Sequence, residues 1–235
     1  MKQDTLRLLV EKYGQKYSET LGIDLSSRKD EEIFKWFLAA MLFGAPITEK
    51  AVIKTYRCLK KHDILTPKRI LETGWNKLVE ILDEGSYTRY DFKTADKLLE
   101  VMCKLTEEYK GSLTVLYDNA VDGKDLERRI KGLGKGIGDV TVSIFLRELR
   151  EIWEKADPNV TDLEVLAAEK LGIVKEDARQ SALKQLKELW FKNKIEGKSF
   201  VDFETSLLRL GKDFCRKIKC IECIARDECL GRRVP

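Results

Sequence analysis

Four cysteines crowd one short stretch of a 235-residue chain: Cys215, Cys220, Cys223 and Cys229, with gaps of four, two and five residues. Thiols this close, in a chain whose start lacks a secretion signal, argue for bound metal rather than disulfides. Four thiolates can hold a tetrahedral zinc ion or an iron–sulfur cluster. Zinc ribbons use two separated Cys-x2-Cys pairs, whereas this sequence has one, Cys220 to Cys223, which favours the cluster. Arg216, Lys217, Lys219 and Arg226 lie among the ligands, so a metal would fold a basic loop suited to phosphate.

A second chemical feature is Gly132-Leu133-Gly134-Lys135-Gly136, preceded by Lys131 and set between two segments of helical periodicity. Glycines permit positive φ and let the backbone approach a ligand, while the following helix offers free N–H groups. Such a nest binds phosphate, and Lys131 and Lys135 add charge at the same spot. From spacing alone, a plain turn between helices explains the glycines equally well. A nucleotide P-loop is excluded, because no Gly-Lys-Ser/Thr follows a strand.

The third feature is a carboxylate, Asp157, in Asp157-Pro158-Asn159-Val160. Asp before Pro commonly caps a helix, and Asp157 needs no other role on that ground. Asp162 sits in a first turn, since Thr161 and Glu164 have the spacing of a capping box. Cys58 and Cys103 border apolar stripes and read as core thiols. His62 follows Lys60-Lys61 at a helix end and reads as a cap.

The elements that position these groups are helical. Apolar residues recur at three and four, as in Leu98, Leu99, Met102 and Leu105, and Ile33–Phe43 suits a buried central helix. Thr66-Pro67 marks a helix start, and Gly111, Gly172 and Gly211 mark left-handed helix ends. The expectation is an all-α protein of about ten helices, with no repeats or long linkers. At 43% apolar residues and net charge +4, the chain can bury a sizeable core, and any polyanion must be met by a local patch. No stretch suits a membrane span and the N-terminus has no signal-peptide core, so an intracellular protein is expected.

At the hairpin a specific resemblance emerges. Ile130-Lys131-Gly132-Leu133-Gly134-Lys135-Gly136-Ile137-Gly138 resembles the helix-hairpin-helix of the endonuclease III superfamily of DNA glycosylases. The apolar helix Ile33–Phe43, the helix from Thr48 and the Gly85–Tyr87 segment fall in the family's order. Asp157-x-Asn159-Val160 is similar to the stretch that begins with the catalytic aspartate, a few residues later than usual. The last two cysteine gaps match the family loop, and the first is two residues shorter.

The resemblance implies an endonuclease III-like fold: residues 31–152 as a six-helix barrel with the hairpin, and residues 1–30 plus 153–235 as a helical iron–sulfur domain. It implies a [4Fe–4S] cluster on Cys215, Cys220, Cys223 and Cys229, and a monomer acting on double-stranded DNA that contains a damaged or mismatched base. Flipping of that base and hydrolysis of its N-glycosidic bond would use Asp157, because a fixed carboxylate stabilises the positive charge that develops on the sugar. Phosphate and base contacts would come from Lys131, Gly132, Leu133, Gly134, Lys135 and Gly136, with Tyr87, Arg89 and Tyr90 as a wedge, unless one of the two tyrosines packs on the barrel instead.

Two departures bear on activity. Bifunctional members carry a Schiff-base lysine at the position of Gly136, so a monofunctional glycosylase is expected. Where endonuclease III fills the gap left by the flipped base with glutamine, this chain has Gly44-Ala45-Pro46. A bifunctional lyase using another lysine and a non-catalytic iron–sulfur DNA-binding protein are the competing readings. Little chain follows the cysteines, so the extra domain of mismatch adenine glycosylases is not expected.

Overall fold

A computed structural model describes residues 1–231, and within them every regular element is helical. In chain order these are α1 Gln3–Tyr13, α2 Tyr17–Thr20, α3 Asp30–Phe43, α4 Glu49–Lys61, α5 Pro67–Glu84, α6 Asp91–Tyr109, α7 Leu113–Asn119 and α8 Gly123–Gly132, followed by α9 Asp139–Glu148, α10 Asp162–Lys170, α11 Ala182–Lys192 and α12 Phe200–Leu210. Among the described residues, no helix is long and apolar enough to cross a membrane. The chain divides into two compact units, one of residues 18–158 and one of residues 1–17 with 159–235.

The longer unit is organised around α3. Its sequence is apolar on nearly every side, so from Ile33 to Leu42 only Lys35 escapes full burial. The Trp36 indole N–H donates to the Phe145 carbonyl at 3.0 Å, and the Phe37 and Phe145 rings meet edge to face. The Thr48 side chain caps α4, and Thr66 caps α5 with Pro67 at its first position. The helix α6 buries Leu98, Val101, Met102 and Leu105 and turns Lys93, Asp96 and Glu100 outward at helical spacing.

The unit boundaries differ from the sequence expectation of 31–152. Residues 18–30 belong with the longer unit, since Ile23 and Leu25 are buried and the Asp30 carboxylate accepts from the Thr114 N–H and hydroxyl. Residues 153–158 belong there too. Trp153 stacks on Tyr117 with centroids 4.7 Å apart and meets Phe145 edge-on.

The second unit packs α1, α10, α11 and α12 around Leu6, Leu9, Val10, Val165, Leu186, Phe203 and Leu207, with Trp190 stacked on Phe203. Thr161 and Glu164 form the expected capping box at the start of α10. Gly172 takes the expected left-handed conformation, but Gly211 does not. At φ −60° it carries α12 into a widened turn of π type, Gly211–Cys215, closed by the Arg216 N–H on the Gly211 carbonyl. A Cβ at Gly211 would lie 2.0 Å from the Leu163 oxygen, so glycine is required here for close approach.

Candidate nucleic-acid interface and cysteine loop

The hairpin forms as its spacing predicts. The turn between α8 and α9 is pinned by Leu133, whose side chain is fully buried, and by the Ile137 N–H on the Gly134 carbonyl. Gly134 lies so close to α6 that a Cβ would stand 2.8 Å from a Val101 methyl, and Gly136 adopts φ +86°. Gly138 is extended, and no side chain caps α9. The first N–H groups of that helix therefore face outward, the arrangement that attracts anions.

The charges around the turn are partly engaged. Lys131 pairs with Asp139 at 2.5 Å, and this bond raises its pKa. The Lys135 backbone N–H donates to the Glu100 carboxylate at 3.1 Å, so an acid from α6 already takes this N–H. The Lys135 side chain is exposed.

The wedge loop separates into two roles. Tyr87, expected at the surface as a DNA contact, is fully buried instead, and its hydroxyl donates to the Leu42 carbonyl at 2.5 Å. Burial raises its pKa further, so the phenol stays a donor. The physical reason is the turn before it: Gly85 presses on Thr55, where a Cβ would fall 2.4 Å from the hydroxyl, and Ser86 at φ +68° swings the next side chain inward. Arg89 and Tyr90 remain at the surface, the guanidinium over the ring at 5.6 Å.

A pocket of about 420 Å³ brings three sequence-distant segments together. Its walls are Gly44 and Ala45 after α3, Tyr90 of the wedge loop, Lys93, Asp96, Lys97 and Glu100 of α6, and Lys135 and Gly136 of the hairpin. This volume is within the range of small-molecule sites, roughly 300–1,000 Å³. Lys97 was not singled out by sequence reasoning. It sits half-buried on the wall with its ammonium donating to the Met41 carbonyl at 2.9 Å, and burial pulls its pKa down to about 8.

Asp157 is not part of that pocket's wall. Its carboxylate bonds the Arg150 guanidinium, which also donates to the Pro158 carbonyl, so one arginine clamps the turn. The expected helix start at Asp157-Pro158 is absent, since α10 begins at Asp162 with Thr161 as its cap. The Asp157 side chain is 51% exposed while that of Arg150 is 5% exposed.

Cys215 lies in the π-type turn, the Cys223 N–H closes a turn on the Cys220 carbonyl, and the Cys229 N–H does the same on Arg226. All four thiols are free and half-buried. Burial pushes the Cys215 thiol up to about 12, and the charges of Cys223, Cys229 and Cys220 push the same way. The Ala225 backbone bonds the Cys223 sulfur. Among the described residues, no three His, Cys, Asp or Glu side chains are arranged to hold a single metal ion. The loop is tied down by the Leu230 N–H on the Lys170 carbonyl and by Glu228, which accepts from the Lys2 N–H and the Thr5 hydroxyl. Cys58 is buried as expected, but Cys103 is exposed and bonds Glu107, since its place on α6 faces away from Leu98 and Met102. His62 ends α4 as expected and also contacts Glu84 at 2.8 Å.

No family model matches the sequence, and no curated protein matches it.

Proposed function

We propose that this chain is a base-excision DNA glycosylase of endonuclease III type, which grips duplex DNA through the hairpin and hydrolyses the N-glycosidic bond of a damaged or mismatched base. The observation that carries the reading is the pocket. The loop after α3, the wedge loop and the hairpin are far apart in sequence, and the family resemblance gives each of them a place against DNA. They meet around one cavity of nucleoside scale.

In this reading the exposed N–H groups at the start of α9 and the Lys135 ammonium hold phosphates, with Glu100 displaced from the Lys135 N–H. The Arg89–Tyr90 pair stacks against bases as the duplex opens. Asp157, oriented by Arg150, supplies the negative charge that offsets the cationic sugar. Cys215, Cys220, Cys223 and Cys229 would hold a [4Fe–4S] cluster that folds the basic loop, and what supports this is the donor set itself, four free, half-buried thiols on one tethered loop. The cluster supplies structure there and takes no part in bond cleavage.

The test is excision by anaerobically purified chain on a panel of single-lesion duplexes, each developed with alkali, which breaks the strand wherever a base is lost. Incision of one lesion, abolished by Asp157→Asn, is expected. Salt-sensitive DNA binding with no incision on any lesion would replace this reading with a second one, a non-catalytic DNA-binding protein. That alternative is favoured by one observation: Asp157 is engaged by Arg150 and does not line the pocket.

A further inference from the structure

A pair of aromatic rings stands exposed beside the pocket, and neither the core nor the proposed hydrolysis accounts for it. Gly74 interrupts α5 at φ +71° and ψ +169°, and nothing lies within 4 Å of where its Cβ would be. Glycine serves the backbone turn there and not a close approach. After the break Trp75 lies at the surface, 38% exposed, where its ring meets that of Phe92 on α6 with centroids 5.2 Å apart. Phe92 is itself 57% exposed, whereas the other three tryptophans, Trp36, Trp153 and Trp190, are buried.

Two residues join this pair to the pocket. The Trp75 indole N–H donates to the Asp96 carboxylate at 2.7 Å, and Asp96 belongs to the pocket wall. That bond fixes the rotation of the indole and satisfies its one polar group, so the ring faces are left apolar. Lys93 follows Phe92 in sequence, lines the same pocket, is exposed and forms no ion pair among the described residues.

We propose that Trp75 and Phe92 are a stacking platform for an unpaired nucleobase of a DNA strand whose phosphate is held at Lys93. This rests on the glycosylase reading, in which extrusion of one nucleotide leaves bases unpaired beside the pocket. The size of the patch argues for a base. Aromatic side chains present roughly 150–250 Å² each, so these exposures leave roughly 200 Å² uncovered, against roughly 800 Å² per partner in a stable protein interface. Flat apolar rings match the π-face that every base carries, whatever the sequence. The charges sort the two parts of a nucleotide. Carboxylates at Asp91 and Asp96 repel phosphate from the rings, which leaves the ring faces to the base and the Lys93 side to the backbone. Paired bases hide both faces within the stack, so the platform favours unpaired DNA over duplex.

The experiment titrates the full chain at fixed low salt with three probes: oligothymidine, an oligomer of the same length with tetrahydrofuran in place of every nucleoside, and a fully paired duplex. Anisotropy of end-labelled probes reads binding. Tryptophan fluorescence with unlabelled probes reads stacking, since Trp75 is the one tryptophan open to a base. Quenching by oligothymidine and not by the base-free oligomer is expected. Trp75→Leu should abolish that quenching and weaken oligothymidine about ten-fold, the worth of one stacked base, while changing duplex affinity less than about two-fold. Trp75→Phe keeps a ring and should keep most of the affinity while the signal is lost.

Equal quenching by the base-free oligomer, or oligothymidine affinity unchanged in Trp75→Leu, overturns the platform. Salt-sensitive duplex binding in the same titrations then leaves the glycosylase reading standing. An equal loss of duplex and oligothymidine affinity in Trp75→Leu makes Trp75 a structural residue and also overturns the platform. So does sedimentation of the free chain as a dimer that Trp75→Leu dissolves, which would assign the rings to a second copy. Quenching by oligothymidine in a chain that does not bind duplex sustains the platform and overturns the glycosylase reading. Binding of no probe overturns both.

Discussion

Lys97→Met measures what the buried ammonium costs the fold. Burial alone pulls this group from the ordinary lysine value of 10.5 to about 8. At ~1.36 kcal/mol per pH unit, holding the charge in the folded chain at neutral pH costs about 3 kcal/mol relative to water. The sign follows from counting protons. Below pH 8 both folded and unfolded chains carry the proton, and the cost is constant. Between about pH 8 and 10.5 the unfolded chain still binds it while the folded chain has released it, so this residue makes stability rise with pH. Methionine keeps much of the stem's packing but leaves the Met41 carbonyl without its donor, a loss of about 1–3 kcal/mol. The two effects nearly cancel at pH 7, where wild type and variant should have similar stability. By pH 10.5 the wild type should lead by about 3 kcal/mol more than it does at pH 7. Tyr90, Lys93, Asp96, Glu100 and Lys135 share the wall and are present in both proteins, so the difference isolates Lys97. Urea unfolding of both proteins, reduced and anaerobic, across that pH range reads it directly. A wild-type minus variant difference that stays flat within about 1 kcal/mol would refute the burial argument.

Tyr87→Phe should destabilise the chain by about 1–2 kcal/mol in the same unfolding assay, because the buried Leu42 carbonyl loses its only phenolic donor; an unchanged midpoint would mean that the loop is not held by this bond. Glu100→Gln should tighten binding of undamaged duplex about five-fold, since a like charge near a phosphate costs roughly 1 kcal/mol. A fluorescence titration at fixed salt checks this, and unchanged affinity would place phosphate elsewhere. Anaerobically purified wild type should be brown and contain iron and sulfide, both mostly lost in Cys223→Ser. The variant's helical circular dichroism should survive, because Leu6, Val165, Phe203 and Leu207 pack without the loop's metal. A colourless, zinc-containing wild type would defeat the cluster assignment.

Local signals in the sequence are the ones the structure repeats. The Thr66-Pro67 start, the Thr161–Glu164 capping box and the burial of Ile33–Leu42 each depend on residues within one or two turns, so spacing alone reveals them. Signals that needed a third partner were misread. Asp157-Pro158 has the local form of a helix start, yet Arg150, seven residues upstream, takes the carboxylate and the Pro158 carbonyl together. Gly211 has the form of a left-handed cap, yet the Leu163 backbone presses on it from another helix and the chain widens into a π-type turn instead. Tyr87 and Tyr90 are equivalent as letters in a loop. Only the left-handed turn at Ser86 and the pressure of Gly85 on Thr55 send one inward and leave the other at the surface.

Gly136 shows how a local reading can be right about a residue and incomplete about a site. A glycine has no nucleophile, and from that position alone the chain lacks an amine. In space, the same absence opens the face of the hairpin to Lys97, thirty-nine positions earlier, whose Cδ passes within van der Waals reach of where a Cβ would be. A bulkier residue at 136 would have to displace that stem, and the residue would also be strained at φ +86°. A side chain at 136 thus has room only if the Lys97 stem gives way, and Gly136→Ala should push that stem aside by a few tenths of an ångström. Gly136→Ala should therefore weaken the Lys97 bond to the Met41 carbonyl and lower stability by about 1 kcal/mol or more in urea unfolding. An unchanged midpoint would show that the stem gives way freely and that this turn does not require glycine.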